Sequence, residues 1–164
     1  EVYEKAISLF GMSKTFGLAG LRIGWLVTPD ADALARMAAY KDYTTICSSA
    51  PSEILSIIAL RAREQIINRH LARIGRNLKL LDGFFEEFSG RFQWIKPLAG
   101  TIAFPRLTAG AGALDFCQRV VSEANIMLLP STVYDYDDAH YRIGFGRENL
   151  PEALERLSGY LRKE

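Results

Sequence analysis

At 164 residues, with 49% apolar residues and a formal net charge of +1, the chain can bury a core as one domain or two small lobes. So balanced a charge offers no field for nucleic acid or for an anionic membrane surface. Charged residues interrupt every long apolar run, so no stretch reaches the roughly 18–20 apolar residues that cross a bilayer.

The opening residues, Glu1-Val2-Tyr3-Glu4-Lys5, lack the basic-then-apolar form of a secretion signal. They include no initiator methionine, and the true N-terminus is expected upstream. Ala6 to Phe10 is a short apolar run, predicted as a buried strand. A Gly11-Met12-Ser13 turn then delivers Lys14. Glycines at 17, 20 and 24 and an arginine at 22 follow, and Ile23 to Val27 is a second predicted strand. A lysine and an arginine on such a frame suit an anionic molecule that bears a carbonyl. The amine can condense with an aldehyde, and the guanidinium can hold a phosphate in its two-pronged fork. A phosphate-binding P-loop is excluded, because its spacing demands glycine at positions 8 and 13 and both are serine.

Asp30 can cap a helix with Leu34, Met37 and Ala38 on one face. Tyr40 to Ala50 reads as polar and irregular. Pro51 suits the first turn of a new helix whose apolar face carries Ile54, Ile57 and Ile58. Ile67, Leu71, Ile74, Leu78, Leu81, Phe85 and Phe88 recur at alternating spacings of four and three, which places them on one stripe of a long helix. A coiled-coil seam is one reading, but the repeat is short, which favours a long helix packed in its own domain. Arg69, Arg73 and Arg76 lie off the stripe and read as a solvated face. Ser89-Gly90 ends the helix, with the glycine as a left-handed stop.

Phe92 to Ile95 and Thr101 to Leu107 are predicted strands around the turn from Lys96 to Gly100. A helix follows with Leu114, Cys117, Val121 and Ala124 on one face, stopped by Asn125. Ile126 to Leu129 is an apolar strand, and Pro130 to Asp138 a loop holding two tyrosines and three aspartates. That loop lacks the alternation and glycine of a calcium site, so it reads as a solvated acidic loop, and no metal is expected. Tyr141 to Arg147 is a short strand carrying Arg142. Asn149 and Glu152 can form a capping box for a last helix that buries Leu150, Ala153, Leu154, Leu157 and Leu161. Cys47 and Cys117 have neither pairing nor metal spacing, and fit lone thiols of a reducing cytoplasm. Alternating strands and helices argue an α/β architecture, with a break near residues 85–92.

The run from Ser13 to Gly24 resembles the cofactor-lysine signature of class I/II aminotransferases, the fold-type I enzymes that use pyridoxal 5'-phosphate (PLP). Ser13, Lys14, Phe16, Gly17, Ala19, Gly20, Arg22, Ile23 and Gly24 match it in spacing. Gly11 departs from it, standing where the family has a serine that contacts the cofactor phosphate. The resemblance implies the C-terminal part of the PLP-dependent transferase fold. Residues 1–85 would be the end of the large PLP-binding domain and residues 86–164 the small α/β domain. It implies that Lys14 carries PLP as a Schiff base, that Arg22 pairs with the cofactor phosphate with Ser13 as helper, and that Arg142 grips the substrate α-carboxylate. A surface salt bridge is the plain alternative for Arg142, and Arg147 reads as structural. Glu1-Val2-Tyr3 is similar to a family segment whose tyrosine bonds the cofactor hydroxyl, although its spacing to Lys14 is far too short.

The implied reaction moves an amino group between an amino acid and a 2-oxo acid, in a cytoplasmic homodimer. Carbon–sulfur lyase, decarboxylase and synthase chemistry within the same fold stays open, as does a non-catalytic structural lobe. The ring partners of the cofactor normally lie upstream, so the chain is expected to be a fragment and catalytically weak or inert alone.

Overall fold

The computed structural model describes residues 5–164, so the segment holding Tyr3 lies outside the described residues. The chain divides into two compact units, one running up to Arg69 and the other from His70 to Glu164.

In the first unit, β1 (Ser8–Gly11) and β2 (Gly24–Val27) form an antiparallel hairpin, with Leu9 opposite Leu26 and Phe10 opposite Trp25. The Phe10 and Trp25 rings stack at 5.9 Å. The expected buried strand is in fact exposed: Leu9 keeps 77% of its surface. An apolar run marks a strand, but burial needs a second layer, and the hairpin is a two-stranded sheet among the described residues.

Helix α1 (Ala31–Thr44) starts where predicted, the Asp30 carboxylate accepting from the Ala33 N–H at 2.8 Å. It continues through Tyr40–Thr44, predicted irregular, because no glycine or proline stops it; Ile46, at φ 60°, marks the break beyond. None of its residues is buried, so the predicted Leu34 face is not a packed one. Helix α2 (Ala50–Arg61) carries Pro51 in its first turn as predicted, yet Ile54, Ile57 and Ile58 lie exposed and Ser56 and Ala59 are buried instead. Ala59 packs with Met12 and Phe16 of the lysine turn, alongside Leu18, Ile23 and Ile66. A small residue lets the turn approach the helix closely, which larger isoleucines would prevent.

The 25-residue helix α3 (Arg63–Glu87) starts in the first unit and runs on into the second. Its apolar stripe is a seam only toward its C-terminus. Leu81 and Phe85 are buried with the off-stripe Phe84, and Ile74, Leu78 and Phe88 pack against them, whereas Leu71 is exposed. Arg73 is not solvated as expected: its side chain pairs with Glu148 at 2.7 Å and keeps 21% exposure. The helix stops through a Phe88–Phe92 turn, with the Arg91 and Phe92 N–H groups on Phe88 O, and Gly90 is not left-handed.

In the second unit, β3 (Phe92–Gln93) pairs with β5 (Arg106–Leu107), while β4 (Ile102–Ala103), β7 (Tyr141–Gly144) and β6 (Leu129–Pro130) form a sheet in the order β4-β7-β6. All these pairings are antiparallel. The strand expected across Thr101–Leu107 is split at Pro105, which has no N–H for the ladder. Helix α4 (Ala113–Ala124) buries Ala113, Phe116, Cys117 and Val120, so its core face is rotated from the predicted one, and Leu114 and Val121 are exposed. Asn125 ends it in the left-handed region at φ 55°, as predicted. Helix α5 (Leu150–Leu161) buries Leu150, Leu154, Leu157 and Leu161 as predicted, and Tyr160 besides. No capping box forms: Asn149 makes no side-chain cap bond, and Glu152 pairs with Arg156 at 2.7 Å. The mixed α/β class holds throughout.

Candidate active site

The lysine turn occupies the twelve residues between β1 and β2, and it is pinned by two buried side chains. Met12 (0% exposed) and Phe16 (9%) point into the core, and Lys14 between them is exposed. The Met12 N–H donates to Ile23 O at 3.0 Å and the Leu18 N–H to Met12 O at 2.9 Å, closing the turn on both sides. The Gly17 N–H donates to Lys14 O at 3.2 Å, with Gly17 at φ 67°. The amine is therefore carried on an anchored backbone rather than a loose loop.

Arg22 follows a 3-10 turn at Ala19–Leu21 and sits in the left-handed region at φ 56°. That conformation costs a non-glycine residue on the order of 1 kcal/mol. Two hydrogen bonds to one carbonyl hold it there, Ala19 O accepting from the Arg22 N–H at 3.4 Å and from Nη1 at 3.0 Å. Gly11 has a local reason: a Cβ there would meet Ile23 O at 3.3 Å, so a serine would press on the carbonyl just before β2.

No aspartate or glutamate occurs from residue 6 to residue 29. Neither Lys14 nor Arg22 forms an ion pair with another described residue. Two cations on a rigid, acid-free turn make a site of positive potential for an anion.

Arg142 belongs to the second unit. Along β7 burial alternates: Tyr141 and Ile143 are buried, Arg142 and Gly144 exposed. Arg142 Nη1 donates to the Tyr134 hydroxyl at 3.2 Å, and no carboxylate among the described residues pairs with it, so the surface salt bridge considered for it is not formed. It also lines an open cleft of about 550 Å³ together with Leu129, Gly144 and Arg147. The predicted residues thus fall into two groups, Ser13, Lys14 and Arg22 on one unit and Arg142 on the other.

Two connections escaped sequence reasoning. The Tyr134 contact joins a 3-10 turn, Ser131–Tyr134, to a strand, and nothing in their spacing marks it. The acidic loop is not simply solvated. Asp138 caps α4, its carboxylate accepting from the Leu114 N–H at 2.8 Å. The Asp137 carboxyl is held below its ordinary range, first by its hydrogen bond with His140. Among the described residues no group of three or more His, Cys, Asp or Glu side chains could hold a metal, and no helix is long and apolar enough to cross a membrane.

A two-unit mixed α/β chain that carries an anchored lysine and a constrained arginine on one acid-free turn has the outline of a fold-type I PLP-dependent enzyme. The family model described as aminotransferase class I and II matches residues 1–157, and the chain belongs to that family. It is 29% identical over 157 residues to capreomycidine synthase of Streptomyces vinaceus, an alignment covering 94% of this chain and 40% of that protein. It is 26% identical over 174 residues to glutamate-pyruvate aminotransferase AlaC of Escherichia coli K12, covering 98% of this chain and 40% of the relative. Among solved structures, a PLP-dependent aminotransferase from Streptococcus suis 89-1591 matches with a TM-score of 0.89 at 30% identity, over 98% of this chain and 43% of that one. A PLP-dependent cyclase, OrfR, matches with a TM-score of 0.84 at 31% identity, over 96% of this chain and 43% of its own. The chain spans about 40% of the length of these curated relatives.

The family and these structures imply PLP as the cofactor. The donor set fits it: an exposed amine suits an aldehyde, and a guanidinium already fixed in place suits a phosphate, with no carboxylate in the same segment to compete.

Proposed function

We propose that this chain is the part of a PLP-dependent aminotransferase that carries the cofactor lysine and the substrate-carboxylate arginine. Residues 1–85 then belong to the large cofactor-binding domain and residues 86–164 to the small domain. The observation that carries the reading is the acid-free Lys14–Arg22 turn, closed by the Met12–Ile23 hydrogen bond and lying inside a family match over residues 1–157.

When bound, PLP supplies the electron sink that makes bonds at the substrate α-carbon labile. Lys14 Nζ would be the amine that holds the cofactor aldehyde and the base that takes and returns the substrate's α-carbon proton. Arg22 would pair with the phosphate, with Ser13, half-buried and next to Lys14 in the chain, as its helper. Arg142 would receive the α-carboxylate fork-to-fork and so orient the substrate's α-carbon. The substrates are an amino acid and a 2-oxo acid, and the working form is a cytoplasmic homodimer.

The names of two relatives, capreomycidine synthase and the PLP-dependent cyclase OrfR, favour synthase or cyclase chemistry as a second reading. Lys14 and Arg142 serve both, because the pose of the substrate chooses the bond. Product analysis separates them: a 2-oxo acid with aminated cofactor marks transamination, and a cyclised amino acid marks the alternative.

The deciding experiment is borohydride reduction of the cofactor-loaded protein, carrying any sequence that precedes Glu1, followed by peptide mass mapping. The pyridoxyl label is expected on Lys14. A label elsewhere, or none in cofactor-saturated protein, overturns the assignment.

A further inference from the structure

We infer that Tyr134 is a positioning residue for Arg142, its hydroxyl holding one edge of the guanidinium so that the remaining N–H groups face the substrate α-carboxylate. The inference rests on the role given to Arg142 above and adds to it the group that orients the fork.

Arginine on the exposed face of a strand has several rotamers of similar energy, and a two-pronged bond to a carboxylate requires one of them. Arg142 has such a place on β7, and its Nη1 donates to the Tyr134 hydroxyl at 3.2 Å. A phenol suits the task, because it accepts the bond without bringing a negative charge. A carboxylate at the same point would occupy the fork and neutralise it.

The loop that delivers the hydroxyl is itself locked. Ser131 is fully buried; its N–H donates to His140 O at 2.8 Å, its hydroxyl donates to Asp137 O, and it accepts from the His140 N–H at 3.3 Å. Asp135, at φ 53°, closes the turn behind Tyr134 with its N–H on Thr132 O at 3.3 Å. The Tyr134 ring meets Phe104 edge-on at 6.1 Å, and Phe104 is stacked on His140 at 5.1 Å. His140 is in turn bonded to the Asp137 carboxylate at 2.8 Å. Backbone hydrogen bonds and the Phe104 contact together place the hydroxyl beside the strand.

Tyr134→Phe tests this, since it keeps the ring and the Phe104 contact and removes only the hydroxyl. Binding is read from the cofactor absorbance of the loaded protein, carrying any sequence that precedes Glu1. The probes are the proteinogenic amino acid that shifts the spectrum at the lowest concentration and the amine that is its decarboxylated counterpart. Y134F is expected to weaken the amino acid by roughly 2- to 10-fold, the size of one exposed hydrogen bond, and to leave the amine unchanged. KM should rise more than kcat falls. Arg142→Ala is expected to weaken the amino acid about 100-fold or more and to abolish any further effect of Y134F. If Arg142→Ala weakens the amino acid and Y134F does not, the positioning role alone is overturned. Equal weakening of both probes by Y134F also overturns it, because a general disturbance is blind to the carboxylate. If Arg142→Ala changes nothing, the carboxylate role of Arg142 fails, and that of Tyr134 with it.

Discussion

Asn77 is a polar side chain with 4% of its surface exposed, and its amide nitrogen donates to Phe145 O at 2.8 Å and to Arg147 O at 2.7 Å. One residue of α3 thereby satisfies two carbonyls just past the end of β7, the strand that carries Arg142. Removing it strands the buried Phe145 carbonyl and breaks the part-buried bond to Arg147 O. Asn77→Ala is expected to cost about 2–3 kcal/mol in urea unfolding, and an unchanged midpoint would deny it this role. Helical spacing places Asn77 beside the apolar stripe but says nothing of what it bonds, since its partners lie 68 and 70 residues away. Lys14 and Arg22 were legible for the opposite reason. The role proposed for them is suggested by their own chemistry and by a frame of glycines within ten residues, all visible in one short segment.

At the scale of elements, sequence reasoning located the helices well and their packed faces poorly. The Asp30 cap and the Asn125 stop were both readable, because caps act within a single turn. The buried sides of α2 and α4 were not, because a face is buried only where another element meets it. In α2 the meeting point is Ala59 under the lysine turn, not the isoleucines. The hairpin that frames the turn depends on another close approach: a Cβ at Gly24 would stand 2.7 Å from Phe10 O, inside any normal contact. Gly24→Ala is therefore expected to shift the β1–β2 register at a cost of about 1–3 kcal/mol and to displace the backbone that carries Lys14. Thermal unfolding together with cofactor retained after dialysis checks it; full stability with full retention would show that the hairpin tolerates the methyl.

Over the whole molecule, titration should narrow the pH range of stability from both sides. Burial raises the carboxyls of Asp82 and Glu164, but their hydrogen bonds outweigh it and hold both below the ordinary range. The partners are Lys96 and Trp94 for Asp82, and Tyr160, Arg91 and Arg119 for Glu164. Their folded values lie below the unfolded ones, so they contribute stability above the ordinary carboxylate range and lose it as pH falls through the folded values. On the alkaline side, burial pushes the Cys117 thiol from 9.0 up to about 11, with the Asp138 charge adding to it. Burial, followed by the hydrogen bond to Glu164, pushes Tyr160 from 10.0 up to about 12. Both protons are favoured in the folded chain, so their contribution is complete below the unfolded values and is lost as pH rises through the folded ones. Cys117→Ala should flatten the fall in thermal midpoint between about pH 9 and 11, the window set by the shifted thiol; an alkaline limb as steep as before would show that the thiol does not drive it.

What the sequence determined by itself was chemical and local: an amine and a guanidinium on an acid-free turn, the Asp30 start and the Asn125 stop of two helices, and the mixed α/β class. Side-chain identity and backbone preference act over a few residues, and one segment displays them in full. The tertiary structure alone decided which faces are buried, that Arg73 pairs with Glu148, and that Tyr134 stands against Arg142. Each of these depends on segments that meet only when the chain folds, and no local pattern records which segments will meet.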